Sequence, residues 1–268
     1  MLMNSRHLHG LVVQALDGAE LGTVDQFYFD DENWAVRYFT VETGGWLGGR
    51  RVLISPYSVI HTDWQARRLD LGLTREQIES SPDIDTHQPV SRQHEAEYLG
   101  YYGYPRYWGG PYLWGPAFYP AANPDALATA HAEAIADRAP SESIDSRLRS
   151  AEVVRGYAID TPDGEIGHLD GYILDDETWA IRYIEVATRN WWPGKKVLVS
   201  PAWIERVSWA ESRVYVGLSR DAIRNGPEYT ESVPISREYE NQLYFHYGLP
   251  PYWLNEAERQ ATLSMSSV

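Results

Sequence analysis

The chain has 268 residues, a formal net charge of -15 and no cysteine. This length accommodates two domains of ordinary size, each with its own core. Such acidity argues against general nucleic-acid binding, because an acidic surface repels phosphate backbones. The absence of cysteine excludes disulfides and thiolate chemistry and fits a cytoplasmic location. Since no apolar run approaches the ~18 residues of a membrane span, we expect a soluble protein without such a span.

The first predicted elements are short strands separated by turn residues. Asp17-Gly18 is typical of a hairpin turn, because both residues tolerate positive φ. Trp34, Val36 and Tyr38 alternate with the residues between them in the period-2 pattern of a strand. Six short strands predict a small closed antiparallel β-barrel, which leaves no exposed sheet edge. They cover residues 10–16, 21–29, 34–42, 51–54, 58–64 and 68–71.

Short helices and an aromatic tail follow these strands. Thr74 and Gln77 form a capping-box pattern that begins a helix ending near residue 79. A second helix is predicted over 91–102. The tail over 102–108 ends the module, and its rings either dock on the same module or bind an external partner. We favour docking, with partner binding as the alternative for Tyr104, Tyr107 and Trp108.

A linker over residues 109–147 comes next. Its Gly, Pro and aromatic residues over 109–120 favour extended backbone laid on a barrel surface. Asn123-Pro124 supplies an N-cap and an N1 proline for an Ala-rich helix over 125–138, and 139–143 is predicted to be flexible.

The module then returns at an offset of 145 residues. Residues 22–56 and 167–201 share 17 identities in 35 positions without a gap. The chain therefore divides into a first module over 1–108, the linker over 109–147 and a second module over 148–268. The second tail carries Tyr252 and Trp253 as equivalent candidates for partner binding. Its module's strands are predicted over 156–160, 165–174, 179–187, 196–199, 202–209 and 213–217.

Two equivalent acidic turns are the first candidates for chemistry. Their carboxylates could bind a divalent cation through oxygen ligands. The alternative is a hairpin turn in which Asp caps its own backbone. We predict the turn, because the spacing is unlike an EF-hand, and we predict no metal. The residues concerned are Asp30, Asp31, Glu32, Asp175, Asp176 and Glu177.

Arginines and tryptophans recur beside these turns. Arg37 and Arg182 are predicted to pair with an acidic residue of their own module, with anion binding as the alternative. Packing in the core or between the barrels is predicted for Trp34, Trp179, Trp64 and Trp209. No arrangement of nucleophile, base and orienting group is recognisable, so no catalytic residue and no cofactor is predicted.

The order of three motifs, over residues 163–167, 175–183 and 195–201, resembles the PRC-barrel domain. That domain is shared by the H subunit of the photosynthetic reaction centre and a ribosome maturation factor, and it occurs in stand-alone bacterial proteins. The resemblance implies a β-barrel that serves as an interaction module, without catalytic residues. We therefore expect a non-enzymatic scaffold or protein-interaction module, its two barrels forming an internal pseudo-twofold pair in a monomer or a homodimer.

Two alternatives stay open. One is an accessory factor that binds a small ligand or a cation. The other is a soluble relative of the reaction-centre H subunit that assists a membrane or ribosomal assembly. The sequence does not identify the protein partner.

Overall fold

A computed structural model of the chain describes residues 1–82, 90–108, 110–120, 147–188 and 196–254. The helix predicted over 125–138 and the stretch over 139–143 lie outside the described residues. The chain divides into two compact units. The first unit takes Met3–Arg155 together with Gly171–Tyr183, and the second takes Gly156–Asp170 with Ile184–Val268. A hairpin of the second repeat thus belongs to the first compact unit.

The first sheet is formed mainly by the first repeat. Its strands are β2 (Val12–Gln14), β3 (Glu20–Asp30), β4 (Ala35–Glu42), β5 (Arg51–Ile54), β6 (Val59–Asp63), β7 (Arg68–Leu71) and β8 (Leu148–Ser150). Their order in the sheet is β5-β4-β3-β2-β7-β6, with β8 beside β3.

The second sheet has the same order, β12-β11-β10-β9-β14-β13, with β1 beside β10. This identity of topology matches the sequence repeat strand for strand. The strands are β1 (Leu2–Asn4), β9 (Ala158–Thr161), β10 (Gly164–Asp175), β11 (Ile181–Thr188), β12 (Lys196–Val199), β13 (Ile204–Ser208) and β14 (Arg213–Val216).

The prediction of purely antiparallel sheets was wrong, because each sheet contains a parallel pair. Strand β2 runs parallel to β7, with Val13 opposite Leu69, and β9 runs parallel to β14, with Ile159 opposite Val214. Parallel neighbours need a long connection, and most of a module separates these strands. The hairpin-connected strands are antiparallel, as predicted. Within the described residues the sheet order ends at β5 and β6 without joining them, so the architecture established here is a mainly β fold of two mixed sheets.

Two equivalent glycines permit a close approach of neighbouring backbones. A Cβ atom on Gly22 would lie 1.9 Å from the carbonyl oxygen of Glu42, and one on Gly167 would lie 2.1 Å from that of Ala187. No other residue fits without moving the neighbouring strand, since the obstacle is backbone.

Five short α-helices accompany the sheets in the described part of the chain. Both hydrogen bonds of the capping box between Thr74 and Gln77 are present, which confirms that prediction. The second helix, predicted over 91–102, covers Arg92–Tyr102 and has Ser91 as its N-cap. The longest of these helices have 11 residues, and no helix of the described chain is long and apolar enough to cross a membrane. The helices are α1 (Arg75–Glu79), α2 (Arg92–Tyr102), α3 (Ala151–Val154), α4 (Arg220–Arg224) and α5 (Arg237–Tyr247).

Strand β8 extends the first sheet from outside the first repeat. Its residues pair with the end of β3, where Tyr28 lies opposite Ser150 and Phe29 opposite Arg149. Residues 148–150 were predicted to begin the second module, yet their backbone groups complete the ladder of the first.

Candidate functional site

Each acidic turn folds around its first aspartate. The Asp30 Oδ1 atom accepts hydrogen bonds from the backbone N–H groups of Glu32, at 3.2 Å, and Asn33, at 2.7 Å. Asp175 Oδ1 accepts in the same way from the backbone N–H groups of Glu177, at 3.1 Å, and Thr178, at 3.5 Å. This is the self-capped turn expected of Asp, so the turn prediction is confirmed.

The second carboxylate oxygen of each aspartate holds an arginine. Arg37 Nε donates to Asp30 Oδ2 at 2.6 Å, and Arg182 Nη2 donates to Asp175 Oδ2 at 2.7 Å. The predicted ion pairs within each module are therefore confirmed. Burial alone would raise the pKa of Asp175, but the Arg182 guanidinium and the hydrogen bonds of the turn together outweigh it and hold that pKa below the usual value of 3.8.

The outer acidic residues have separate partners. Asp31 Oδ2 lies 2.8 Å from Arg149 Nε, and Glu32 Oε2 lies 3.5 Å from Arg147 Nη1. Asp176 accepts a hydrogen bond from the Trp64 indole at 3.1 Å, and Glu177 is exposed. Within the described residues no three His, Asp or Glu side chains are grouped as metal ligands. Cation binding by the turns remains the alternative to the predicted absence of a metal.

Inside the first compact unit the two hairpins pair with each other. Val36 N–H donates to the Trp179 carbonyl at 2.8 Å, and Ile181 N–H donates to the Trp34 carbonyl at 2.7 Å. The two bonds are related by the 145-residue offset of the repeat, so the contact is reciprocal, like that across a twofold interface. Between them Ala35 forms an antiparallel bridge with its counterpart, Ala180.

Aromatic rings surround this pairing. The rings of Trp179 and Phe39 meet edge to face at 4.9 Å, and those of Trp34 and Phe29 stack at 5.2 Å. Trp34 and Trp179 are both buried, which confirms their predicted packing role. Both adopt positive φ, at 52° and 58°, a conformation that costs a bulky residue about 1–3 kcal/mol. The surrounding contacts must outweigh that strain.

The remaining paired tryptophans are half-buried. Trp64 makes the contact with Asp176 already described, and the Trp209 ring lies 6.1 Å from that of Tyr157.

The aromatic tail of the first module docks on helix α2 through what we call the first tail cluster: Arg92, Glu95, Tyr107 and Trp108. Arg92 Nη1 lies 3.1 Å from Glu95 Oε2 and donates to the Tyr107 hydroxyl at 3.0 Å. The Tyr107 hydroxyl in turn donates to Glu95 Oε1. The Arg92 guanidinium also covers the Trp108 ring at 4.2 Å. Docking on the same module, the favoured hypothesis, is confirmed for this tail.

The second tail cluster repeats this arrangement with Arg237, Glu240, Tyr252 and Trp253. Arg237 Nη1 lies 3.0 Å from Glu240 Oε2, the Tyr252 hydroxyl donates to Glu240 Oε1 at 3.1 Å, and Arg237 covers the Trp253 ring at 4.0 Å. The second tail therefore docks on α5 as the first docks on α2. All four residues lie 145 positions after their counterparts, a signal that the sequence contained but that we did not use.

The five candidates for partner binding differ in exposure. Tyr104 and Tyr107 are buried, and the Tyr104 hydroxyl lies 2.9 Å from that of Ser58. Trp108, Tyr252 and Trp253 are half-buried. Partner binding remains a prediction, and the accessible ring surface belongs to these last three.

Arg37 connects the first tail to the segment that follows it. Its guanidinium is 0% exposed and lies 4.0 Å from the Tyr107 ring and 4.6 Å from the Trp114 ring. Trp114 is fully buried, and the Tyr57 hydroxyl donates to its carbonyl at 3.0 Å. Residues 110–120 are thus laid on the first module, as their composition predicted. Sequence reasoning did not foresee Trp114 as the ring opposite Arg37.

Glu95 lies at the base of this cluster and is fully buried. Burial raises its pKa to about 7, against the opposing influence of Arg92, the Tyr107 hydroxyl, Tyr38 and Arg37. The carboxyl group therefore changes its charge near neutral pH.

Comparison with known families identifies the first repeat. The sequence profile of the PRC-barrel domain matches residues 2–67. These residues carry a PRC-barrel domain, as the resemblance predicted. No curated protein matches the chain significantly.

Proposed function

We propose that the chain is a non-enzymatic scaffold in which two PRC-type barrels form an internal pseudo-twofold pair and bind a protein partner in the cytoplasm. The observation that carries this proposal is the reciprocal pairing of the two hairpins, in which Val36 donates to Trp179 and Ile181 to Trp34. A one-module relative would need two chains for such a contact. Joining both modules in one chain makes the contact intramolecular, at an effective concentration of about millimolar.

The roles of the buried and half-buried carboxyl groups support binding over catalysis. Asp30 and Asp175 cap their turns and hold arginines, while Glu95 and Glu240 hold the tails. Each of these carboxyl groups therefore makes contacts that stabilise the fold, and these contacts explain its position without a catalytic role. A broad hydrolase screen is the inexpensive test, and activity that survives repeated purification would contradict this part of the proposal.

Native mass spectrometry of the full chain tests the internal pair. We expect a monomer throughout the micromolar range, since the hairpin contact is satisfied within one chain. Trp179→Ala removes a ring at the contact and should lower the stability of the first compact unit in urea denaturation, whereas Ile60→Ala, at an exposed position, should not. A wild-type chain that is a homodimer at low micromolar concentration would contradict the internal pair.

The half-buried rings of the tails are the proposed contact surface for the partner. Tyr and Trp suit this role, because they combine a large apolar body with a polar tip. Crosslinking of the tagged full chain in native lysate, followed by identification of the crosslinked peptides, tests it. Partner peptides should attach near Trp108 or Trp253, and those near Trp253 should be lost from the Trp253→Ala variant but not from Ile60→Ala. Attachment unaffected by Trp253→Ala would exclude the second tail.

A further inference from the structure

Glu95 is a fully buried carboxyl group where helix α2, strand β4 and the first tail meet. Its two oxygens are held by the Tyr107 hydroxyl and by Arg92 Nη1. The titratable or charged groups that face it are Arg92 from its own helix, Tyr107 from the tail, and Tyr38 and Arg37 from β4. Moving the tail would remove one of the carboxyl group's hydrogen-bond partners and bring water to it.

A continuous stack leads from this carboxyl group to residues 110–120. The Tyr107 ring lies under the Arg37 guanidinium, and the Trp114 ring also contacts that guanidinium. The Trp114 indole donates to the Thr178 carbonyl at 2.8 Å. Within the described residues the two Nη atoms of Arg37 have no hydrogen-bond partner. Trp114 therefore shares the Arg37 guanidinium with Tyr107, which Glu95 holds, so release of Tyr107 removes one side of the stack that packs against Trp114.

The charge of Glu95 affects this stack because of its burial. A neutral carboxyl group is tolerated in a site without water, whereas a carboxylate is stabilised by solvation. Arg92 and Arg37 offset this preference only in part, since burial keeps the pKa of Glu95 at about 7. Ionisation must then favour conformations in which the tail moves away and water reaches the carboxylate.

We propose that Glu95 is a proton-operated latch for the tail and residues 110–120: the neutral carboxyl group keeps them seated on β4, and loss of its proton loosens them. Loosening uncovers Tyr107, Trp114 and the Arg37 guanidinium together. Such a latch operates whether or not the chain is a scaffold, because it depends only on contacts within the first compact unit.

The second tail cluster provides a matched control. Glu240 corresponds to Glu95, but its partner Arg237 has a side chain that is 54% exposed, against 15% for Arg92. Solvent therefore already reaches Arg237, although the Glu240 side chain is itself buried. Glu240→Gln is therefore the change to compare with Glu95→Gln.

Hydrogen exchange of the full chain, measured by mass spectrometry from about pH 5.5 to about pH 8, tests the latch. The pKa of the Glu95 carboxyl group is about 7 when the tail is docked and 4.5 when the tail has moved away. Over this pH range, the opening constant of peptides covering 104–119, corrected for the intrinsic exchange rate, should therefore rise about tenfold to thirtyfold. Glu95→Gln should abolish the rise, and Glu240→Gln should leave it. A flat wild-type profile, or an unchanged rise in Glu95→Gln, would overturn the proposal.

The wild-type chain alone supplies a second measurement, in case Glu95→Gln does not fold. Carbon-13 labelling of the glutamate carboxyl groups follows their titration by NMR. A resonance that titrates near pH 7, at the same midpoint as the exchange of 104–119, is expected. Titration of every glutamate below pH 5 would overturn the latch.

Discussion

Replacing Asp30 with Asn would remove a buried negative charge and little else. The Asn side-chain oxygen can still accept the backbone N–H groups of the turn, so the cap survives. The Arg37 side chain is 0% exposed, and in the described part of the chain its one hydrogen bond is to Asp30. In the variant, Arg37 therefore keeps its positive charge but has no anion within hydrogen-bonding distance. Breaking a buried pair in this way costs about 3–5 kcal/mol. We expect Asp30→Asn to destabilise the first unit by that amount.

The equivalent change in the second repeat is the control. Asp175 and Arg182 have side chains that are 15% and 9% exposed, and Arg182 Nη2 also donates to the Thr178 hydroxyl at 3.3 Å. Water and that hydroxyl can compensate in part for the lost anion, so Asp175→Asn should cost less, about 1–2 kcal/mol. Because the chemical change is identical, a difference between the two variants measures the combined effect of burial and of the additional hydrogen-bond partner of Arg182.

Urea denaturation followed by tryptophan fluorescence measures both variants, with a separate transition fitted for each unit, because a two-unit chain need not unfold in one step. With a slope of about 2 kcal/mol per molar urea, Asp30→Asn should lower the midpoint of the first unit by about 2 M. The double variant Asp30→Asn, Arg37→Met should recover part of that loss, since it leaves no buried charge. A loss below about 1 kcal/mol for Asp30→Asn, or equal losses for both aspartates, would refute this reasoning.

Four further outcomes are expected. Gly22→Ala and Gly167→Ala should each lower the free energy of unfolding, measured by urea denaturation, by more than about 2 kcal/mol, because the new Cβ atoms would collide with backbone. Gly45→Ala is the control and should be nearly neutral, because a Cβ atom there meets nothing within 4 Å. Equal losses for the three variants would contradict the close approach of the strands. Gly100→Ala should raise stability by about 0.5–1 kcal/mol, since the position is helical and open, and a loss would contradict that geometry. The pKa of Asp175 is lower in the folded chain than in the unfolded chain, so the ionised carboxylate stabilises the fold above pH 3.8. This stabilisation is lost as the pH falls through the pKa of the folded state. The Asp175→Asn variant should not show this loss of stability when it is titrated with acid. Adding millimolar Ca²⁺ or a chelator should leave Tm unchanged, and a shift would revive the cation hypothesis for the acidic turns.

Local signals in the sequence predicted the strands and helix starts well. The bounds of β5, β7 and β12 agree with the predicted ranges, since turn residues delimit these strands on both sides. The capping box at Thr74 and the N-cap at Ser91 were equally readable, because each depends on a few neighbouring residues.

Pairing between distant strands was not readable. The period-2 pattern assigns each residue to a face of the sheet but does not identify the neighbouring strand or its direction. The parallel pair of β2 and β7 and the addition of β8 to β3 therefore required the structure.

The candidate site was predictable only where its contacts join residues that are close in the sequence. The pairing of Arg37 with Asp30 joins residues seven positions apart in one hairpin, and simple charge matching found it. Trp114 reaches Arg37 from beyond the module, and nothing in its own surroundings in the sequence marks that contact. The tail clusters lie between these cases, since aligning the two repeats through Glu95 and Glu240 would have revealed them.

The covalent joining of the two hairpins has an evolutionary consequence. In a homodimer of identical chains every substitution appears on both sides of the contact, whereas in this chain one half can change alone. Tyr57, whose hydroxyl holds the Trp114 carbonyl, corresponds to Ala202. Gly100 corresponds to Phe245, a ring that is 89% exposed. The two halves can therefore differ outside the hairpin contact, where Trp34 and Ala35 of the first repeat recur as Trp179 and Ala180 in the second.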